Sequence, residues 1–426
     1  SIPIFFSNLA VPLVGIVDTG LMGHLENEKY LIAVSISTTF LTIIFWSFGF
    51  LRMGTVGLVS HTFGKSDYRE LVNIIYRNIF IAIIVAFLII IFKPVLLNIV
   101  YQIFTVSTQT NNFINDYISI RVLSAPAELI IYVLIGFFLG IQRTIISSFL
   151  TIMLSIFNVY LSIYFVNELE LNVKGVALGT LFASYLTVLA FSVFTYYFFI
   201  KKFKVIPRIE YKKLINLKKM IKLLNINFNI FIRTILLTFS FFWITYLGST
   251  LGEEYVAVNS ILLQLIFISS FFLDAYAFST EGIIGYSLGK KSPKMFISAT
   301  KNSLILSFST GILISIFFLF TAKEIINLIT DLEFLRFLSY KYLIWVILIP
   351  PIASIAYQLD GIFIGATQTK ELRNGMIVSV IVYLLLSIFL TKQLHNYGVW
   401  FSLLLFMILR ASTLHFYFSK ILNKFK

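Results

Sequence analysis

Five carboxylic acids lie inside long apolar stretches of this sequence, where ionisable groups are rare. They are Asp18, Glu128, Asp274, Glu281 and Asp360. An ionised side chain at the centre of a lipid bilayer costs about 2.5 to 3.5 kcal/mol on insertion scales, so such a group usually faces a partner or a wet cavity. Burial raises the pKa of carboxyl groups in general, which lets them exchange protons near neutral pH. The five acids therefore predict sites for protons, Na⁺ or cationic ligands.

Asp18 is alone in the apolar stretch "VPLVGIVDTGLMGHL". Pro3 and Pro12 precede it, and Pro12 cannot donate a hydrogen bond to the carbonyl of Asn8. Bent helices with freed carbonyls are tolerated where neighbours or water satisfy them. A purely structural role for Asp18 is the alternative, in which its side chain forms a hydrogen bond to a neighbouring helix. Such interhelical hydrogen bonds contribute about 0.6 kcal/mol to stability on average. We interpret Asp18 as a cation-coupling residue and the two prolines as conformational residues.

Four polar residues follow one face of a later apolar stretch. Thr151, Ser155, Asn158 and Ser162 recur at spacings of four, three and four residues, which is helical periodicity. Small hydroxylated residues commonly line helix contacts, so Thr151 and Ser155 fit packing as well as binding. Asn158 carries both a donor and an acceptor and is the stronger binding-site candidate.

The second half of the chain holds three further candidates, which we assign to substrate binding. Asp274 and Glu281 are seven residues apart and share a helix face, and Asp360 lies in another apolar stretch. Binding of Na⁺, proton exchange and attraction of cationic ligands all remain open for them. Three arginines are either counter-ions or side chains that reach toward the membrane surface: Arg52, Arg233 and Arg410.

The composition indicates a membrane protein. Of 426 residues, 59% are hydrophobic and 12% charged, and the mean hydropathy is +0.94. Apolar runs of about 20 residues fit α-helices that cross a bilayer core, whereas a transmembrane barrel would have short alternating segments. We predict an all-α fold of twelve transmembrane helices. Their predicted spans are residues 2–24, 31–60, 72–98, 117–141, 147–166, 173–200, 224–250, 256–288, 295–322, 340–365, 374–390 and 396–419.

Several other functions are disfavoured. The sequence has no cysteine, which excludes disulfides, thiolate catalysis and cysteine-based metal sites. The four histidines lack metal-binding spacing, and there is no GxxxxGK[ST] loop for ATP. We therefore expect no enzyme activity, no metal site and no cofactor.

The basic residues report the orientation in the membrane. The net charge is +14, and the loops after even-numbered predicted helices carry a large excess of Lys and Arg, together with the C-terminal tail. The positive-inside rule therefore places both termini in the cytoplasm. This distribution explains the charge without a nucleic-acid partner, and a bacterial inner membrane is the expected location.

The second half of the sequence resembles the first half at one constant shift in numbering, which aligns residue 349 with residue 124. We call this shift the repeat offset. "SAPAELIIYVLIGFFLGIQRT" (124–144) aligns with "IPPIASIAYQLDGIFIGATQT" (349–369), which pairs Gly136 with Gly361. Each half carries six predicted helices, so we expect two bundles related by a pseudo-two-fold axis along the membrane normal.

The repeat sets the expected domain boundaries. They are an N-terminal lobe (1–200), a basic cytoplasmic linker (201–223) and a C-terminal lobe (224–426). Apolar residues at helical spacing among the linker lysines are also typical of a helix that lies on an anionic leaflet. A simple tether explains the linker equally well.

Several segments resemble the DinF branch of the MATE multidrug and toxic compound extrusion transporters across essentially the whole chain. They are "IPIFFSNLAVPLVGIVDTGLMGHL", "FLRMGTVGLVSHTFGKS", "LSAPAELIIYVLIGFFLGIQ", "LNVKGVALGT" and "YLIWVILIPPIASIAYQLDGIFIGATQTKELRNGM". The resemblance implies a V-shaped pair of six-helix lobes that opens alternately outward and inward.

The resemblance also implies site residues. The family's first-helix acid falls on Asp18 and its first-helix proline on Pro3, whose bending is linked to protonation in some members. The family's Asn and Thr of the fifth and sixth helices fall on Asn158 and Thr180. All of these would line a cavity of the N-terminal lobe.

One position departs from the family pattern. Many relatives carry an Asp four residues after the family's fifth-helix Asn, and here that position is Ser162. Loss of this acid weakens a Na⁺ site and leaves Asp18 as the main carboxylate for ion coupling. Glu128 would restore a negative charge if the fourth and fifth helices bring it close, and its alternative is a pore-lining or helix-end role.

These observations lead to one expected function and two alternatives. We expect a monomeric antiporter that exports amphipathic or cationic toxic compounds against H⁺, or Na⁺, influx. A flippase for lipid-linked precursors is the first alternative, although it should need extra helices or a strongly basic cavity. A membrane interaction protein that transports nothing is the second.

Overall fold

The computed structural model describes residues 2–25, 27–104, 106–210 and 214–425, without the side chains of residues 11 and 12. In that part of the chain, twelve helices are long and apolar enough to cross a membrane. They are α1 (Ile2–Gly23), α2 (Glu28–Gly64), α3 (Tyr68–Ile91), α4 (Thr108–Gly140), α5 (Thr144–Glu168), α6 (Asn172–Phe203), α7 (Leu217–Leu251), α8 (Glu253–Gly289), α9 (Pro293–Ile329), α10 (Leu343–Gly365), α11 (Thr369–Leu394) and α12 (Asn396–Phe425). This confirms the predicted all-α fold with twelve spanning helices.

Long helices suit this sequence because a backbone in lipid must satisfy its own hydrogen-bonding groups. Two shorter helices, Lys93–Ile103 and Glu333–Tyr340, follow α3 and α9 respectively. Helix α1 is continuous, with Pro3 in its first turn. The predicted role of Pro12 falls on a side chain outside the described set.

Helix α4 is interrupted near its middle. Its first segment ends at Arg121, a 3₁₀ turn covers Val122–Ser124, and the second segment starts at Ala125. Pro126 follows this turn, and it lacks the N–H needed to continue the ladder of helical hydrogen bonds. The interruption leaves Arg121 at the end of one segment and Glu128 in the first turn of the next.

The chain packs as two compact units. The N-terminal unit covers Ile2–Leu224, and the C-terminal unit begins at Asn225. In the N-terminal unit, α1 packs mainly on α5, and α4 contacts α2, α3 and α6. In the C-terminal unit, α10 has the equivalent position, in contact with α8, α9 and α12. Each unit is therefore built around its own fourth helix.

Glycines of α4 and α10 explain part of the sequence repeat. A Cβ atom at Gly136 would lie 2.5 Å from the carbonyl oxygen of Arg52. A Cβ atom at Gly361 would lie 2.7 Å from the carbonyl oxygen of Ala277. Gly361 and Ala277 are the equivalents of Gly136 and Arg52 at the repeat offset. The glycine one turn later in each helix repeats the contact. Helices α2 and α8 therefore approach α4 and α10 so closely that only hydrogen fits between them.

Turns recur at the same offset. Three pairs of non-glycine residues with positive φ are separated by the repeat offset: Ser66 and Lys291, Gln142 and Thr367, and Glu170 and His395. Few non-glycine residues adopt such angles. Their equivalent positions indicate that the connections after α2 and α8, α4 and α10, and α5 and α11 have the same geometry in both units.

Candidate functional site

Asp18 lies near the end of α1 with only 4% of its surface exposed. Helix α1 packs on α5, and the Asp18 carboxylate faces the hydroxyl group of Ser162. The two groups do not reach hydrogen-bond geometry, and neither Asp18 Oδ1 nor Ser162 Oγ bonds to any other described group. A buried polar oxygen without a donor is costly. The position is therefore suited to binding a proton, a water molecule or a small cation.

Asn158 lies one turn before Ser162 on α5 and is also buried. Its Nδ2 donates a hydrogen bond of 2.8 Å to Thr180 Oγ1 on α6, and the Thr180 hydroxyl donates to the carbonyl of Val176 at 3.2 Å. Asn158 Oδ1 has no partner among the described residues. The α5–α6 contact thus holds the Asn158 amide in place and leaves a second acceptor oxygen unused.

The equivalent position in the C-terminal unit is closed. Trp243 and Ser387 follow Asp18 and Ser162 at the repeat offset, and Trp243 Nε1 donates a hydrogen bond of 2.9 Å to Ser387 Oγ. The indole satisfies this serine, whereas the carboxylate in the N-terminal unit leaves its serine without a bond. The same helix contact is therefore a packed hydrogen bond in one unit and an open polar site in the other.

Gly179 of α6 allows the close approach of α5 at the site. A Cβ atom at Gly179 would lie 2.5 Å from Ser162 Oγ and 2.7 Å from the Ser162 backbone nitrogen. Contacts this short force the backbone to move. Gly179 therefore lets α6 pack directly against Ser162 of α5.

Replacing Gly179 by alanine is expected to lower stability by about 1 to 3 kcal/mol, because α6 is pushed away from α5. Thermal unfolding of the purified variant measures this effect. Gly20→Ala on α1 is the matched control, since a Cβ atom there meets nothing within 4 Å. Equal behaviour of the two variants would contradict the steric role of Gly179.

The other polar residues of α5 bond to their own helix. Thr151 Oγ1 donates to the carbonyl of Ser147 at 3.3 Å, and Ser155 Oγ donates to the carbonyl of Thr151 at 3.2 Å. These contacts fit the packing alternative for both residues. The structure therefore brings Asn158 and Ser162 to the Asp18 region and leaves Thr151 and Ser155 satisfied within α5.

Glu128 lies in an ion pair and is not an isolated carboxylate. Its Oε1 accepts from the Arg121 guanidinium group and from Ser124 Oγ, the latter at 2.8 Å. Arg121 also lies over the Phe45 ring, with 5.4 Å between its Cζ and the ring centroid. The Asp18 carboxylate is within electrostatic range of Arg121. The acid expected to add a negative charge to the site is thus accompanied by a cation.

Arg121 is the site residue that the sequence analysis missed. It lies inside the predicted span 117–141, in which the sequence interpretation assigned a role only to the acid Glu128. The available signal was its spacing: Arg121 and Glu128 are seven residues apart, which places them on one helix face two turns apart.

The C-terminal unit contains a second buried charge cluster. Asp360 Oδ2 of α10 accepts from Arg233 of α7 and from Arg410 of α12, the latter at 2.6 Å. All three side chains are buried from solvent. The Arg410 Cζ also lies 5.5 Å from the Tyr357 ring centroid. Arg233 and Arg410 are therefore counter-ions, and the Asp360 carboxylate is occupied by them.

The remaining candidates of this unit differ in their surroundings. Asp274 is within electrostatic range of Tyr357, next to the Asp360 cluster. Glu281 is 1% exposed, and its carbonyl oxygen lies against Gly365 of α10. Within the described residues, no group of three His, Cys, Asp or Glu side chains could hold a metal ion.

Comparison with known proteins identifies the family. The MatE family model matches residues 3–164 and 230–393. DNA damage-inducible protein F of Escherichia coli is 32% identical over 427 residues, covering 97% of this chain and 89% of that protein. The multidrug export protein MepA of Staphylococcus haemolyticus is 24% identical over 46% of this chain and 43% of that protein.

Solved structures share the fold. A transporter of the MOP superfamily from Pyrococcus furiosus superposes with a TM-score of 0.86 at 17% identity, covering 100% of this chain and 95% of that one. A MATE transporter of Vibrio cholerae superposes with a TM-score of 0.85 at 15% identity, covering 99% and 95%. The two matched segments, the full-length similarity and the shared fold all agree: this chain belongs to the MATE family of membrane transporters and is a DinF-like member of it.

Proposed function

We propose that this protein is a secondary active antiporter that exports amphipathic or cationic toxic compounds in exchange for inward-moving H⁺. Asp18 is the principal coupling residue, and Asn158, Ser162 and Thr180 complete its site. The observation that carries the proposal is the buried Asp18 carboxylate, whose Oδ1 lacks a donor beside the equally unsatisfied Ser162 hydroxyl. Protons or Na⁺ could fill such a site, and the scarcity of negative charge around it favours protons.

The coupling step follows from the electrostatics of burial. When Asp18 is ionised, its charge requires water or a bound cation, which keeps the cavity hydrated. Protonation removes the charge and lets α1 repack on α5, which closes the cavity and releases substrate. Deprotonation on the opposite side of the membrane resets the site. Substrate and proton therefore bind to the same ionised, hydrated form of the N-terminal unit and exclude each other. Antiport requires this mutual exclusion.

Bending of α1 would couple protonation to a larger movement. Pro12 lies inside α1 before Asp18 and lacks the N–H that would donate to the carbonyl of Asn8, whereas Pro3 lies in the first turn, where its ring fixes the start of the helix without the loss of a helical hydrogen bond. We include both residues in the proposal as conformational elements of α1.

Substrate specificity is proposed from the relatives and from the charges of the site. The similar protein of S. haemolyticus is named a multidrug export protein. A buried carboxylate attracts cations, and the apolar side chains of the surrounding helices suit the apolar part of an amphipathic compound. In the C-terminal unit, Asp274 and Glu281 remain substrate-binding candidates, whereas Asp360 has less capacity for a cationic ligand because two guanidinium groups already bind it.

Efflux from proteoliposomes under separately imposed gradients tests the proposal. A fluorescent amphipathic cation such as ethidium is loaded, and either a pH gradient or a Na⁺ gradient is applied. The pH gradient is expected to drive efflux above the level of protein-free vesicles, and an ionophore that collapses it should abolish the effect. Efflux driven by Na⁺ alone would reassign the coupling ion, and no efflux under either gradient would contradict antiport.

The proposed orientation places both termini in the cytoplasm of a bacterial cell, with the protein acting as a monomer in the inner membrane. Because these 426 residues contain no cysteine, single introduced cysteines report topology without background labelling of this chain. Lys202→Cys in the last turn of α6 is expected to resist a membrane-impermeant maleimide in intact cells, and Glu170→Cys between α5 and α6 is expected to react. The opposite pattern would invert the orientation.

A further inference from the structure

The beginning of helix α7 lies at a membrane surface. The helix has 35 residues and is therefore about 52 Å long, whereas the hydrocarbon core of a bilayer is about 30 Å thick. Lys218, Lys219 and Lys222 lie in its first two turns. Charged side chains are costly inside the core, so these turns lie at the level of the lipid headgroups. We call residues 217–224 the α7 start.

One face of the α7 start is attached to the N-terminal unit. Lys219 Nζ pairs with Glu70 Oε2 of α3 at 2.8 Å, and the other oxygen of Glu70 binds Arg77 at 2.9 Å. Leu223 lies one turn after Lys219 and is only 2% exposed. The ion pair and the buried leucine together fix the rotation of the α7 start about its own axis.

The opposite face of the α7 start is apolar and exposed. Leu217, Ile221 and Leu224 recur at helical spacing and are 72%, 48% and 47% exposed. Lys218 and Lys222 border this face and are exposed, and their side chains form no ion pair or hydrogen bond with any described residue. An exposed apolar stripe flanked by lysines is typical of a helix that binds the interface of an anionic membrane.

We propose that the α7 start is a binding surface for anionic phospholipid headgroups. Its apolar face lies among the upper parts of the acyl chains, and the ammonium groups of Lys218 and Lys222 bind lipid phosphate groups. The Lys219–Glu70 pair is a positioning contact, because it directs the apolar face away from the N-terminal unit and toward the lipid. This role goes beyond the proposed function and needs no transport activity.

Charge and continuity favour lipid over a soluble partner. Residues 201–222 contain nine basic residues and one acid, which complements an anionic leaflet. The apolar face also continues directly into the membrane-spanning part of α7, so lipid headgroups are already present at this depth. A neutral bilayer would accommodate the apolar side chains but would leave Lys218 and Lys222 without an anionic partner.

Lipid-specific fluorescence quenching tests the proposal. Leu217→Cys is labelled with the environment-sensitive dye NBD and reconstituted in phosphatidylcholine vesicles that contain a small, equal fraction of either nitroxide-labelled phosphatidylglycerol or nitroxide-labelled phosphatidylcholine. Each lysine near an anionic surface favours the contact about fivefold, so the phosphatidylglycerol should quench several-fold more strongly. About 1 M NaCl should reduce this preference, because it screens charges beyond about 3 Å.

Two double variants in the labelled protein separate binding by these lysines from a general effect of charge. With Lys218→Gln and Lys222→Gln, the preference for phosphatidylglycerol should fall toward equality, while quenching by phosphatidylcholine persists because the apolar face is intact. The matched control is Lys294→Gln with Lys301→Gln, which removes two exposed lysines of α9 and should keep the preference. Thermal unfolding confirms that both purified variants are folded.

Three results would overturn the proposal. The first is equal quenching by the two lipids in the labelled protein that keeps all its lysines. The second is an equal loss of preference in both double variants, which would indicate an effect of net charge alone. The third is no quenching by either lipid, which would assign the apolar face to a soluble partner or the linker to a simple tether. No efflux is measured, so failure of the proposed antiport would leave this result unchanged.

Discussion

Replacing Asp18 by asparagine is expected to abolish proton-driven efflux, reducing it to the level of protein-free vesicles. Asparagine keeps the shape of the side chain but cannot take up and release a proton. The variant should fold as well as the wild type or better, because it removes the need to bury an ionised group. The measurement is drug-driven proton release from proteoliposomes, with thermal unfolding as the check on folding.

Asp116→Asn is the matched control for this experiment. Asp116 belongs to the same unit, but its carboxylate is about one-third exposed and pairs with Lys174 at 3.4 Å. Exposed ion pairs of this kind contribute about 0 to 1 kcal/mol, so the control should retain transport and stability. Undiminished proton release by the Asp18→Asn variant would remove Asp18 from the coupling mechanism.

Replacing Asp360 by alanine is expected to cause the largest loss of stability, about 3 to 5 kcal/mol. The substitution removes the carboxylate that binds two buried guanidinium groups, and an unpaired charge is costly inside a membrane protein. The expected result is a clear fall in the unfolding temperature of the purified protein.

The control for Asp360 is Asp331→Ala, since Asp331 is fully exposed and pairs with Arg336 at 2.9 Å. Its loss should change stability little. A triple variant with Asp360→Leu, Arg233→Met and Arg410→Leu should recover much of the stability, because no unpaired charge remains. If Asp360→Ala is as stable as Asp331→Ala, the ion cluster does not support the C-terminal unit.

The duplication kept packing and turn geometry but not charge. Gly136 and Gly361 make equivalent helix contacts, and the turns with positive φ match in position. Yet Asp18 corresponds to Trp243, and Asp360 corresponds to Ile135. Close helix packing tolerates few substitutions, whereas a buried acid in one unit is replaced by an uncharged residue at the equivalent position of the other. The two units are thus alike as scaffolds and different in their chemistry.

The sequence by itself determined the membrane class, the twelve helices and the family resemblance. Apolar runs long enough to cross a bilayer are a local property, and the constraint that lipid places on the backbone leaves helices as their outcome. The internal repeat was also visible, because glycines at close helix contacts cannot be replaced without moving the backbone. Asp18, Asn158 and Ser162 were identifiable because a polar group is conspicuous in an apolar segment.

Only the tertiary structure decided which charges are partners. Arg121 and Glu128 lie on one helix, but their contact depends on the 3₁₀ turn before Pro126. Asp360, Arg233 and Arg410 come from three helices that are far apart in the chain. Hydropathy gives the depth of a residue in the membrane but not the direction of its side chain around the helix. Ion pairing requires that direction, and it is set by how neighbouring helices pack.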